Sequence, residues 1–208
     1  MPNPDLSQAP TNSLIRELVA REDVYVEGGL LSGEVYTLAA KWLPIICTDA
    51  IAIRKNNGAV EGTIIRRGTG YEPYRGKFAL IGGSILRDEH IEDALRRHFR
   101  TDIGLEINFC DPAGWRRPAM IVQYKPYDRA QGELPDFNHE PRKHAISLAY
   151  LVTLADEKAK PHFGKTPFGQ EAEGLFWFSR GDCPPSEDFG YDTHRTFLQL
   201  LEKADKFF

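Results

Sequence analysis

The chain has 208 residues, 41% of them apolar and 27% charged, enough for one domain with a sizeable core; wholesale disorder and a multidomain machine are excluded. Its formal net charge of -4 gives no global positive field for phosphate backbones, so nucleic acid is not an expected partner. No apolar run approaches the roughly 18–20 residues that span a bilayer, and residues 1–10 show no charged start followed by an apolar stretch. The three cysteines, Cys47, Cys110 and Cys183, are too far apart for a zinc knuckle and odd in number for a disulfide framework. A cytoplasmic protein with no membrane partner is expected.

Residues 1–12 carry three prolines and few apolar side chains, which predicts a disordered lead-in. Leu14, Leu18 and Val19 then recur at helical spacing, and Val35, Leu38 and Ala39 repeat the pattern after Ser32. Residues 13–43 therefore read as a helical segment that Pro44 ends, with the main domain over 44–208. The apolar run 45–53 predicts a largely buried strand in which Asp49 is the misfit. Asn56-Asn57-Gly58 is a turn signal, and a second strand over 62–67 makes a hairpin of the pair. A Gly- and Tyr-rich loop over 68–76 leads to a strand at 78–81, then to Gly82-Gly83 and a turn ending at Asp88-Glu89.

Ile91, Ala94, Leu95 and Phe99 fall at i, i+3, i+4 and i+8, the apolar stripe of an amphipathic helix that stops at Gly104. Further strands are expected over 119–124, 145–154 and 174–178, with a long polar loop over 125–143. A final helix over 193–204 turns Phe197, Leu198 and Leu201 inward, and the chain has no internal repeat.

Gly83, five residues, Glu89, seven residues, Arg97, then Phe99, Asp102, Gly104 and Leu105 reproduce a known frame. It resembles the Nudix box, G-x5-E-x7-R-E-U-x-E-E-x-G-U, where U is a bulky aliphatic. The resemblance implies an α/β/α sandwich with a mixed sheet, here with an N-terminal helical extension, and a hydrolase acting on a nucleoside diphosphate linked to another group. It also implies Mg²⁺ or Mn²⁺ on the acidic helix face and, from the family, a homodimer. Three box positions that carry Glu are His98, Thr101 and Asp102 in this chain. They share one helix face, so one carboxylate in place of three predicts a weakened metal site, with Asp102 and the Gly82 carbonyl as its ligands. Glu89 and Arg97 are retained, and their family pairing braces loop against helix. His98 reads as a solvated residue on a face that has lost an ion, or as an imidazole ligand better suited to zinc or manganese.

The opening of the domain is similar to that of GDP-mannose mannosyl hydrolases, a divergent Nudix branch. That resemblance gives Asp49 and Arg67 the role of holding a nucleotide sugar and makes His144 the matching general base. Ser84 departs from it, since an Arg follows the Gly pair there. The segments Glu140-Pro141-Arg142-Lys143-His144 and Tyr191-Asp192-Thr193-His194 look instead like ADP-ribose-type Nudix proteins, some of which are ligand sensors. The expected catalytic set is thus His144, Arg67 and Asp49, with Asp49, Arg67 and Arg142 on substrate. Asp49 could equally cap a neighbouring backbone group. Arg66, Arg75, Arg116, Arg117 and Arg129 could gather on a diphosphate or scatter in solvent, and Tyr71, Tyr74, Trp115, Tyr124 and Tyr127 could stack on a base or pack the core. The missing Glu residues keep a second function open, a non-catalytic module that binds a similar nucleotide.

Overall fold

The computed structural model describes residues 25–26, 30–31, 33–69, 74–110, 117–126, 137–141, 143–166 and 169–208. The chain divides into two compact units, Met1–Leu43 and Pro44–Phe208. In the first, β1 (Tyr25–Val26) pairs antiparallel with β2 (Leu30–Leu31), and α1 (Gly33–Trp42) is the second of the two expected helices. The first expected helix and the lead-in over 1–12 lie outside the described residues. Leu43 N–H still donates to the Ala39 carbonyl at 2.8 Å, and Pro44, which has no N–H, ends the ladder there.

The second unit runs β3 (Ile45–Asn56), β4 (Ala59–Arg67), β5 (Phe78–Ala79), β6 (Ile81–Ser84), α2 (Ile91–Ile103), β7 (Ile107–Phe109), β8 (Met120–Lys125), β9 (Phe137–His139), β10 (Ala145–Leu154), β11 (Lys165–Thr166), β12 (Gly169–Gln170), β13 (Ala172–Phe178) and α3 (Thr193–Ala204). Nine described strands form one mixed sheet with the path β13-β4-β3-β10-β8-β9; β5 joins β4, β6 joins β3 and β7 joins β10. The central β3–β10 pair is parallel, from Ile45 beside Ala145 to Ala52 beside Val152. No described helix is long and apolar enough to cross a membrane.

Strand alternation builds the two cores. Ile51 and Ile53 of β3 join Ile64, Leu151 and the α3 residues Phe197, Leu200 and Leu201 on one face. Ala50 and Ala52, the intervening residues, join Tyr150, Val152 and the α2 residues Leu95, Phe99 and Ile103 on the other. The small alanines let α2 approach the sheet closely, which the broad apolar stripe of that helix requires. Gly104 ends α2 in the left-handed region, φ 68°, with its N–H on the Arg100 carbonyl at 3.0 Å and the Leu105 N–H on the Phe99 carbonyl at 3.3 Å.

The expected hairpin is present but short. β3 and β4 pair only from Ile53 opposite Gly62 to Asn56 opposite Ala59, around a turn whose Asn57 and Gly58 have φ of 48° and 85°. Beyond Gly62 the two strands part, and the segment after residue 77 fills the gap. Ala79 bonds to β4 opposite Ile65, whereas Ile81–Ser84 bond to β3 opposite Ala50–Cys47. The single strand expected over 78–81 is therefore two, broken at Leu80 where the bonding changes sides. For the same reason Gly82 and Gly83 belong to β6 and not to a turn. The strands β7, β9, β11 and β12 were not foreseen, because two or three residues are too few to show a period.

The two glycines are needed to different degrees. A Cβ at Gly82 would collide with the Thr48 carbonyl oxygen and lie 2.6 Å from Asp49 Cα, both backbone, while a Cβ at Gly83 would meet the His98 ring edge at 2.7 Å. Gly82→Ala should therefore lower the melting temperature far more than Gly83→Ala, whose neighbour is a side chain able to rotate away. Thermal melts of the two variants check the order.

Candidate functional site

Arg67 ends β4 where the sheet splits. Its backbone is clamped by two bonds of 2.9 Å, its own N–H to the Lys77 carbonyl and the Gly76 N–H to its carbonyl. Its guanidinium lies 3.2 Å from a Glu171 carboxylate oxygen, with side-chain exposures of 8% and 14%. Two local devices deliver Glu171. Gly68 N–H donates to the Glu171 carbonyl at 2.9 Å, and a Cβ at Gly68 would sit 2.5 Å from the Gln170 carbonyl oxygen, so only glycine permits that approach. A register shift between Ala172, opposite Arg67, and Gly174 then bends β13 at this point.

Asp102 enters from the inward face of α2, is 3% exposed, and its Oδ2 has no hydrogen-bond partner among the described residues. Burial first, and the Glu171 charge second, push its carboxyl well above the usual carboxylate range, against the opposing charges of Arg67 and Arg97. Asp49 arrives on β3 opposite Gly82, half-buried, and accepts a hydrogen bond from the Ser147 hydroxyl of β10. Burial raises its carboxyl too, although Ser147, Lys143 and Arg67 favour the charged form. Asp49, Asp102 and Glu171 thus all feel one guanidinium, that of Arg67. The sequence pointed to Asp49, Arg67, Gly82 and Asp102, and the structure brings them to one place; Glu171 was missed, since it stands in a polar stretch with no motif around it.

Beside this group, Arg97 and Glu89 form a two-pronged ion pair: Arg97 Nε lies 2.7 Å from Glu89 Oε1 and Nη2 lies 2.9 Å from Oε2. The same Nη2 donates to the Ser84 carbonyl at 3.0 Å, and Glu89 Oε2 accepts the Leu86 N–H at 2.9 Å. Helix, strand and intervening loop are tied through four bonds. Burial alone would raise the Glu89 carboxyl; the Arg97 hydrogen bonds, the Leu86 amide and the Arg97 charge overturn it and leave the pKa below its ordinary value.

His98 is not a solvated residue, contrary to expectation. Its ring covers Gly83, where no Cβ stands in the way, and Nε2 lies 3.3 Å from the Ser84 carbonyl. Burial and then the Arg97 charge bring its pKa down to about 4, so the imidazole is neutral at physiological pH and fills space that a box Glu would leave to a charge. Thr101 is exposed. Among the described residues no group of three or more His, Cys, Asp or Glu could hold a metal ion.

His144 stands just before β10, where its carbonyl accepts the Ile45 N–H at 2.8 Å, three residues from Ser147, the hydroxyl partner of Asp49. Its Nε2 is buried without a partner among the described residues. Arg142, Arg116, Arg129, Tyr71, Trp115 and Tyr127 lie outside the described residues. Of the remaining arginines, Arg66 lies over the Phe78 and Phe176 rings at 5.2 and 5.0 Å, and Arg75 and Arg117 are exposed. Tyr124 is core, its hydroxyl 3.3 Å from that of Thr196.

Two outcomes are expected of this geometry. Arg97→Ala should destabilise the fold by somewhat less than the roughly 3–5 kcal/mol of a fully buried pair, because the pair is partly open to water. The lowered Glu89 pKa means that the brace is fully present above the ordinary carboxyl range and fades as pH falls below about 4; parent and variant melts should converge there. Asp102→Asn should do the opposite. A raised native pKa makes the folded state bind its proton more tightly, so the parent loses stability as pH rises above about 4, and the variant should melt higher than the parent at neutral pH with no such gain in acid.

A family described as Domain of unknown function (DUF4916) matches residues 26–187. No curated protein matches the sequence. Among solved structures, a candidate asymmetric diadenosine tetraphosphate hydrolase from Jonesia denitrificans is similar at 25% identity and a TM-score of 0.61, over 80% of this chain and 98% of its own. An Ap4A hydrolase of C. elegans, solved as a binary complex, is similar at 13% identity and 0.53, over 78% and 96%. The Nudix domain of Shewanella oneidensis NrtR, solved with ADP ribose, is similar at 15% and 0.50, over 92% and 96%. The chain therefore belongs to the DUF4916 family, and its sandwich of a split mixed sheet between α2 and α3 is the Nudix fold.

Proposed function

We propose that the protein is a divalent-metal-dependent hydrolase of nucleoside diphosphates linked to a further group, with nucleotide sugars as the preferred class. One observation carries the reading: a buried Asp102 carboxylate oxygen with no hydrogen-bond partner among the described residues, within the fields of Glu171, Arg67 and Arg97. The Asp102 carboxylate and the Gly82 carbonyl are hard oxygen donors of the kind Mg²⁺ and Mn²⁺ prefer, and they suit one ion better than an array. Such an ion, when bound, supplies positive charge where the diphosphate gathers negative charge.

The chain's own residues do the rest. Arg67, paired with Glu171, supplies the positive charge that faces a phosphate oxygen. Glu171 is the carboxylate placed to accept the proton of an attacking water as the water oxygen bonds to phosphorus and the bridging oxygen leaves with its electron pair. Ser147 holds Asp49 in place through its hydroxyl. The choice of a nucleotide sugar rests on Asp49 and Arg67, which match the pair that holds one in divergent Nudix enzymes; the similar structures that carry a ligand name concern Ap4A and ADP ribose. A cytosolic homodimer belongs to the same proposal.

Two other readings have a specific observation each. The orphaned Nε2 of His144 favours that residue as base, and the neutral His98 in place of a box Glu favours a binding module without turnover. Turnover of GDP-mannose, ADP-ribose and diadenosine tetraphosphate with Mn²⁺, with and without chelator, decides between enzyme and module. With the best substrate, Glu171→Gln should lower kcat by roughly 10²–10⁴-fold and His144→Gln should leave most of it. The reverse pattern would make His144 the base. No chelator-sensitive turnover on any of the three, with binding intact, would leave the module.

A further inference from the structure

The turn before α3 holds a feature that the proposed chemistry does not use. Tyr191 and Asp192 are consecutive residues with φ of 58° and 55°, a backbone region that side chains other than those of Gly, Asn and Asp rarely enter, least of all a tyrosine. Such conformations persist only where the surroundings over-determine them, and here they do. On one side Gly190 N–H donates to the Phe78 carbonyl at 2.9 Å, and the Thr193 hydroxyl donates to the Gly190 carbonyl at 2.7 Å. On the other, the Asp192 carboxylate accepts the His139 N–H of β9 at 2.8 Å.

The turn places the Tyr191 ring over the Arg67 guanidinium, with Cζ 5.1 Å from the ring centre, and packs the ring against Tyr74 at a 55° tilt, centroids 4.1 Å apart. The ring is 9% exposed, so the contact forms with most of its water removed, where cation–π attraction is strongest. The ring adds a contact on the guanidinium face to the Glu171 ion pair on its edge, so two contacts in different directions set the plane of the group.

We infer that Tyr191 is a positioning residue for Arg67, held by a strained turn so that the guanidinium is already oriented before a diphosphate arrives. The inference rests on the reading of Arg67 as the diphosphate contact. Orientation in advance spares the ligand the ordering of a long, flexible side chain.

The test is calorimetric titration of α,β-methylene-ADP, a diphosphate that cannot be cut between its phosphorus atoms, into the parent and four variants, with melts run in parallel. Arg67→Met and Tyr191→Leu should weaken binding by about five- to thirty-fold, while Tyr191→Phe, which keeps the ring face, restores it. Phe189→Leu, which removes a buried ring of the same core that faces no guanidinium, should bind like the parent. A Tyr191→Leu protein that binds like the parent, a Tyr191→Phe protein as weak as Tyr191→Leu, or a Phe189→Leu protein equally weak would each overturn the role. Should the parent not bind the probe, the diphosphate reading of Arg67 falls, and the Arg67 Nε–H resonance decides the positioning by itself. Ring current should displace it in the parent and in Tyr191→Phe and release it in Tyr191→Leu. One frequency in all three would overturn the inference.

Discussion

A single buried guanidinium shared by three carboxylates is the constraint around which this domain is organised. Arg67 carries one positive charge, and Asp49, Asp102 and Glu171 approach it from a central strand, a helix and an outer strand. In water such a cluster would be screened and of little account; within the split of the sheet the effective dielectric falls and each unmatched charge becomes costly. Burial is what raises the Asp49 and Asp102 carboxyls, with the Glu171 charge adding to it at Asp102. Lys143 acts on Asp49 and Arg97 on Asp102 beside the shared Arg67, so the buried carboxylates are partly offset but still costly to desolvate.

Holding buried carboxylates in place requires that the walls not give way. The Glu89–Arg97 pair ties the start of α2 to β6, the Gly82 contact locks β6 onto β3, and Gly68 presses β4 against the chain before β13. Each of these fixes an element that bears one of the charged groups. His98 contributes differently. A neutral ring over Gly83 closes the helix–strand gap without adding a fourth negative charge, so the substitution away from the box Glu lowers the cost of the apo fold while narrowing what the site can hold.

The box helix was legible because its apolar stripe, its Gly104 stop and its Glu89 and Arg97 are local in sequence. Ala145–Leu154 and Thr193–Ala204 were legible for the same reason, being long enough to show a period. The break at Leu80 was not, since the hydrogen bonds that change sides there belong to β3 and β4 and no residue within 78–84 announces it. Asp49 stood out as a charge in an apolar run. Glu171 did not, being one of several acidic residues in a polar stretch; what singles it out is a glycine contact a hundred residues away. The position of His98 was misread because helix periodicity gives the face on which a residue lies, but not whether a glycine strand waits opposite to receive it.

The parallel pairing of β3 with β10 has a kinetic side. The hydroxyl that holds Asp49 stands 98 residues further along the chain, and the partner of Arg67 comes later still. Contacts of such separation close slowly, because a long loop must be ordered before they form. The β3–β4 hairpin and α2 can arise early from neighbours in sequence, whereas the charge cluster assembles only when β10 and β13 have docked. During synthesis and refolding the acidic groups therefore stay in water until late, and their desolvation comes only once the sheet that confines them is complete.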